Sequence, residues 1–101
     1  MIARMWHGIT TPDKADEFLE NINQTGVPGL KGTTGNRGAC VLRRIDEAET
    51  HFVMISLWDS LEAIIRFAGE DIEKAMYYHK DKDFLLELEP TVKHYEIMVE
   101  P

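Results

Sequence analysis

The chain is poor in the residues that cross-link a protein or bind it to polyanions. Its one cysteine, Cys40, excludes an intrachain disulfide, and a reducing, cytoplasmic setting is the simplest expectation. Eleven Lys and Arg face 18 Asp and Glu, a formal net charge of −7. That deficit of positive charge argues against nucleic acid or an anionic membrane as a partner. No apolar run approaches the roughly 20 residues of a membrane-spanning helix. The opening MIARMWHG lacks the apolar core and small-residue cleavage site of a signal peptide. The four histidines show no His-x-His spacing, and there is no Cys-x-x-Cys, so no dedicated metal site is expected. Gly29, Gly32, Gly35 and Gly38 lie close together, but no phosphate-binding helix follows them, which excludes a P-loop.

What is present suits a compact fold. With 44% hydrophobic residues in 101, one domain over residues 1–101 is expected, able to fold without a disulfide or a structural metal. The organising stretch is His51–Glu70, HFVMISLWDSLEAIIRFAGE. Its first part reads as a strand with Phe52, Met54 and Trp58 on one face and Val53, Ile55 and Leu57 on the other. Both faces are apolar, whereas a half-solvated antiparallel strand should alternate. Asp59 with Glu62 three residues on reads as a capping box. Leu61, Ile64, Ile65 and Ala68 then recur at helical spacing up to Gly69.

Around this stretch, Ile2–Ile9 reads as a first strand. Ile2, Arg4 and Trp6 lie on one face, and Ala3, Met5, His7 and Ile9 on the other. Thr11-Pro12 opens a helix with the stripe Ala15, Phe18, Leu19 and Ile22, closed by Gly26. Val27–Gly38 is expected as a glycine-rich loop, Ala39–Ile45 as a second strand, and Asp46–Thr50 as a polar hairpin turn. A short helix is expected over Asp71–Tyr78 and one further helical turn at Phe84–Leu88 before Pro90. A last strand is expected over Val92–Val99. The order strand, helix, strand, strand, helix, strand is the ferredoxin-like α+β arrangement, with a four-stranded antiparallel sheet and both helices on one side. Two helices leave the other side bare, so a homodimer packed through its sheet faces is expected.

Several short motifs carry a family resemblance. They are Trp6-His7-Gly8, Val27-Pro28-Gly29-Leu30, Gly35-Asn36-Arg37-Gly38, Leu57-Trp58-Asp59-Ser60-Leu61-Glu62-Ala63, Phe67-Ala68-Gly69-Glu70 and Val92-Lys93-His94-Tyr95. Together they resemble the antibiotic biosynthesis monooxygenase-like family of the dimeric α+β barrel superfamily, over nearly the whole chain. The resemblance implies a cofactor-free oxygenase that desolvates, orients and deprotonates a small hydroquinone- or anthrone-like aromatic, which then reacts with molecular oxygen. The pocket would lie between sheet and helices. A haem-degrading branch of similar fold uses an Asn on the first strand, a Trp in the second helical region and a His after it. This chain has no Asn in the first strand, Phe67 near the Trp position and only His79 near the ligand position, which counts against that branch. The main alternative to an enzyme is a non-catalytic homodimer that binds a small ligand or serves as an accessory protein, and haem binding is a third reading.

The residues expected to carry chemistry are His7, Trp58 and His94, with Trp6, Arg43, Phe67 and Tyr95 as substrate contacts. His7 is the foremost candidate base, since an imidazole titrates near neutral pH. Each has a plainer reading: Trp6 and Trp58 as core rings, and His7 as a strand-end histidine bonded to backbone. His94 and Tyr95 point to opposite sides of the last strand. Arg43 and Arg44 should also diverge, one of them towards a buried surface with Glu96 as a possible counter-ion. Asn36-Arg37 reads as a tight turn or a lid. His51 and His79 are expected in solvent, Arg66 paired with Glu62 on the surface, and Cys40 as a small buried apolar residue.

Overall fold

The computed structural model describes residues 1–101. Four strands form one sheet in the order β2-β3-β1-β4: β1 is Ile2–Thr10, β2 Asn36–Ile45, β3 Thr50–Trp58 and β4 Lys93–Glu96. Every neighbouring pair is antiparallel. Three helices between the strands are α1 (Ala15–Gln24), α2 (Gly26–Lys31) and α3 (Leu61–Ala68), and α4 is a single turn at Asp81–Phe84. This is the ferredoxin-like α+β fold read from the periodicity.

Alternation sorts the side chains between two faces. β1 and β3 pair from Ile2↔Trp58 to Thr10↔Thr50. One face carries Arg4, Trp6, Met54, Phe52 and Trp58 and is covered by the helices. Phe52 and Trp58 are fully buried there, and cutting such a ring to alanine typically costs about 3–5 kcal/mol. Phe52 packs with Ala15, Phe18, Ile22 and Leu85, and Trp58 with Leu30, Ala63 and Ile64. The other face carries Met5, His7, Val53, Ile55, Leu57 and, from β2, Cys40 and Leu42. No helix covers it, and Leu42 stays 50% exposed.

The local elements depart from expectation where tertiary contacts outweigh propensity. Val27–Leu30 is helix α2 rather than loop: Pro28 falls in its first turn, where a missing N–H costs nothing, and Leu30 is buried. Thr11-Pro12 opens a 3-10 turn at Pro12–Lys14, without a side-chain cap, before α1 begins. Asp71–Tyr78 is not a helix, because its backbone groups are used across the chain: Ala75 N–H donates to the Pro90 carbonyl, and the Glu73 carbonyl accepts from Val92. The helical turn expected at Phe84–Leu88 lies at Asp81–Phe84, since Leu85 bridges to Thr10 instead. The last strand is Lys93–Glu96, four residues, because only these pair with β1. Cys40 is exposed, not buried, because it lies on the uncovered face.

At the β3–α3 junction the cap is Ser60, not Asp59: Ser60 Oγ accepts the Ala63 N–H at 3.2 Å. Asp59 instead pairs with Arg37, and Gly69 ends α3 at φ 85° with its N–H on the Ile65 carbonyl. Asn36 and Arg37 are the start of β2, beside a bulge, and so form neither lid nor free turn. Ser60→Ala should cost about 1 kcal/mol in urea unfolding. Asp59→Ala, which removes only an exposed ion pair, should cost about half of that or less.

Candidate functional site

Between the helix-covered face of the sheet and the segment 69–92 lies a cavity of about 60 Å³, room for roughly four or five waters at about 10–15 Å³ each on the same measure. Its walls are aromatic and aliphatic, with Trp6, Phe18, Phe67, Tyr77 and Tyr78 as the rings and Met54 across from Trp6. The polar groups that reach it are Arg4, Ser56 and Asp81. Gly8 makes room for one wall, since a Cβ there would stand 2.3 Å from Trp6 Cη2.

Each polar group is held in place. Asp81, at 6% exposure, accepts Asn21 Nδ2 on Oδ1 at 3.0 Å and the Tyr78 N–H on Oδ2 at 2.7 Å. Burial raises its pKa above the ordinary 3.8, against the pull of those two donors. Arg4 donates from Nη1 to the Ile72 carbonyl and from Nη2 to the Lys74 carbonyl at 3.1 Å. Its guanidinium sits 5.8 Å from the centroid of the Phe67 ring, and burial brings its pKa down to about 10, so it remains a cation at neutral pH. Tyr77 donates its hydroxyl proton to the Glu89 carbonyl at 2.6 Å and accepts Trp6 Nε1 at 3.2 Å. That proton is committed to structure, and burial raises the phenol's pKa.

The expected site residues divide between the two faces. Trp6 and Phe67 line the cavity. Trp58 lies behind it, tilted against Phe67 with the ring centroids 5.7 Å apart and its Nε1 donating to Ser56 Oγ at 2.9 Å. His94 also stands behind the wall. Its Nε2 lies 3.1 Å from Arg4 Nη1, and because a guanidinium only donates, Nε2 must accept. Burial and the adjacent Arg4 cation keep this imidazole's pKa below its ordinary value. His7, Arg43 and Tyr95 lie elsewhere. His7 is on the uncovered face, with Nδ1 2.6 Å from Glu89 Oε2 and Nε2 3.0 Å from His51 Nδ1, so its partners are side chains and not backbone. His51 is held between His7 and Glu49 rather than solvated. Arg43 pairs with Asp16 at 2.8 Å on the surface. Glu96 cannot serve it, because β1 and β3 stand between β2 and β4. Arg66 reaches the Thr34 carbonyl rather than Glu62. Tyr95 shares the uncovered face with Ala3 and is 49% exposed.

Arg4, Asp81, Tyr77 and Tyr78 are site residues that sequence reasoning missed. For Arg4 a signal existed, since it is a charge on the same strand face as Ile2 and Trp6. Asp81 sits in an ordinary-looking charged run, and nothing local marks it.

An antiparallel ferredoxin-like sheet with an aromatic cavity under its helices defines a small α+β domain of ferredoxin-like fold. The model of the antibiotic biosynthesis monooxygenase family matches residues 1–77, and the chain belongs to that family. No curated protein matches it. Among solved structures it is similar to a protein of Nitrosomonas europaea provisionally named an antibiotic biosynthesis monooxygenase, with TM-score 0.69 and 16% identity over 98% of this chain and 100% of that one. It is also similar to the haem degrader MhuD of Mycobacterium tuberculosis with two haems in its active site, with TM-score 0.63 and 19% identity over 100% and 99%. A mutant of MhuD with two manganese protoporphyrins per active site gives 0.64 and 20% over 100% and 98%. At these identities the likeness is one of fold.

The residues around this cavity do not fit a haem. No imidazole lines it, His94 turns its Nε2 to Arg4, and His79 is exposed outside the lining. No three His, Cys, Asp or Glu side chains are grouped to hold a metal ion, and no helix is long and apolar enough to cross a membrane.

The raised pKa of Asp81 has a signed consequence. The folded protein holds this proton more tightly than the unfolded chain, so the contribution to stability is full below the ordinary carboxyl value and is lost as pH rises through the folded one. In Asp81→Asn, a flipped Asn21 side chain can accept from the new amide. Urea unfolding of the two proteins across mildly acidic pH should show wild type losing stability relative to the variant as pH rises from about 4.

Proposed function

We propose that the protein is a monooxygenase of a small phenolic aromatic, of the hydroquinone or anthrone kind, which acts in the cavity under the sheet with molecular oxygen and without a cofactor. The whole of residues 1–101 would serve as one domain in a cytoplasmic homodimer. The observation that carries this reading is the meeting of aromatic walls with a buried carboxylate of raised pKa in one cavity. Asp81 is then the base: its oxygens keep lone pairs beyond those given to Asn21 and Tyr78, and a raised pKa brings it closer to a phenol's. Trp6, Phe67 and Tyr78 hold the ring flat and exclude water. Trp58 and His94 support Phe67 and Arg4 from behind.

The oxidation needs no outside reductant. The phenol gives up its proton and a ring carbon gives up its hydrogen, the para carbon in the enol form of an anthrone and an unsubstituted ring carbon in a hydroquinone. One atom of oxygen becomes the quinone carbonyl, and the other leaves with those two hydrogens as water. The electrons come from the ring, which is oxidised as dioxygen is reduced. The rival reading, a non-catalytic binding protein, has one observation in its favour: both Asp81 oxygens already accept hydrogen bonds. An oxygen electrode with a panel of hydroquinones and anthrones separates the two. Uptake by wild type should fall at least tenfold in Asp81→Asn and in Phe67→Ala. No uptake with any substrate leaves the binding protein.

The dimer follows from the uncovered face, where Met5, Val53, Ile55, Leu57 and Leu42 form a patch that a second copy would bury. Light scattering should find about twice the 11.6 kDa chain mass. Ile55→Glu, which sets a charge in the middle of that patch, should shift the particle towards the single chain.

A further inference from the structure

Arg4 is a buried charge without a counter-charge. It is 4% exposed and lines the cavity. Its hydrogen-bond partners are the carbonyls of Ile72 and Lys74 and the neutral imidazole of His94. The ion pairs of the molecule all involve other residues, although the chain has 18 acidic side chains. Asp81 faces the same cavity but is engaged by Asn21 and the Tyr78 amide. Burial alone drives the Arg4 pKa down, with no carboxylate to offset it. An ion taken out of water costs several kcal/mol even after relaxation, and neutral acceptors recover only part of that. A charge-assisted bond to an anion would recover more.

We propose that the cavity takes an aromatic molecule bearing an anionic oxygen group, a carboxylate or a phenolate, and that Arg4 is the specificity-determining residue that holds it. This deepens the function proposed above and rests on the same cavity being the substrate site. The guanidinium is a planar fork of donors suited to oxygen anions. Its position over Phe67 sets its plane beside an aromatic wall, so a ring lying among Trp6, Phe67 and Tyr78 can present its oxygen group edge-on to Arg4. Because Arg4 also holds the Ile72 and Lys74 carbonyls, binding at its guanidinium and closure of the cavity share one side chain.

Isothermal titration calorimetry tests this without turnover. One arm compares 2-naphthoate with 2-naphthylmethanol. The other compares 4-nitrophenolate with 4-nitroanisole, at a pH where the phenol is ionised. In at least one arm the anion should bind wild type at least tenfold more tightly than its neutral partner, and the arm that responds tells carboxylate from phenolate. Arg4→Gln should lose that preference, read as the ratio of the anion's affinity to that of its neutral partner in the same variant, and Arg4→Lys should restore part of it. Equal affinities in both arms, or a preference that survives Arg4→Gln, overturn the proposal. Should Arg4→Gln fail to fold, the wild-type comparison still decides, together with the NMR resonance of the Arg4 Nε–H. That resonance should shift with the preferred anion and not with its neutral partner, and no shift overturns the proposal. Binding of naphthoate with no oxygen uptake would defeat the enzyme reading and leave this one standing. Oxygen uptake with the hydroquinones or anthrones, with equal affinities in both calorimetric arms, would do the reverse.

Discussion

The antiparallel register of β1 on β3 is the constraint from which the rest follows. Trp6 stands opposite Met54 and Arg4 opposite Ser56, all on the side of the cavity, while His7 opposite Val53 and Met5 opposite Ile55 face the other way. Side chains alternate strictly along a strand, so a slip of one residue would exchange the two sets. Burial prevents the slip: Phe52 and Trp58 are enclosed completely by the helices, and inversion would bring both rings into water. The arrangement therefore carries two separate polar groupings, Arg4–His94 with Asp81 under the helices and His7–His51 with Glu89 and Glu49 on the open side. Each is confined to its face by the same pairing.

The cavity owes its closed side to a segment without regular structure. Between Gly69 and Val92 the chain makes one helical turn, and its shape comes from specific bonds. Ala75 bonds to Pro90, Val92 to Glu73, Tyr77 to Glu89, and Arg4 reaches across to Ile72 and Lys74. Few of these are local in sequence. Several of the residues that would face a ligand are the ones that hold this wall in place, so rigidity of the wall and definition of the cavity have the same physical origin. Family membership suggests a monooxygenase-like function, but the particular lining decides what such a cavity can accept. MhuD, similar in fold, holds two haems in its active site. Here an arginine, an aspartate and five rings line the cavity.

Periodicity was informative wherever one element buries one face. The two apolar sides of Phe52–Trp58, the stripe of α1 and the glycine after α3 were all legible, and with them the order of elements and the topology. Local propensity misled where distant groups compete for the backbone. Glycine and proline at Val27–Leu30 read as loop, yet the chain is helical because Leu30 is buried. Asp71–Tyr78 reads as helix, yet its carbonyls and amides are claimed by Arg4, Pro90 and Val92. Trp6 and Phe67 were recoverable as cavity residues because large rings on the inner face of a strand or helix have few other places to go.

By itself the sequence determined the ferredoxin-like sheet and the existence of a bare apolar face, since both follow from the spacing of apolar side chains along individual elements, while short motifs such as Trp6-His7-Gly8 carried the family resemblance. Only the tertiary structure decided which titratable groups share a space. It moved His7 away from the cavity by strand parity, brought Asp81 into it from a charged run that looks like any solvated surface, and left Arg4 buried with no acid beside it. Contact between residues as far apart in sequence as Asn21 and Asp81 depends on how the chain closes on itself, and no local pattern of residue types encodes that distance.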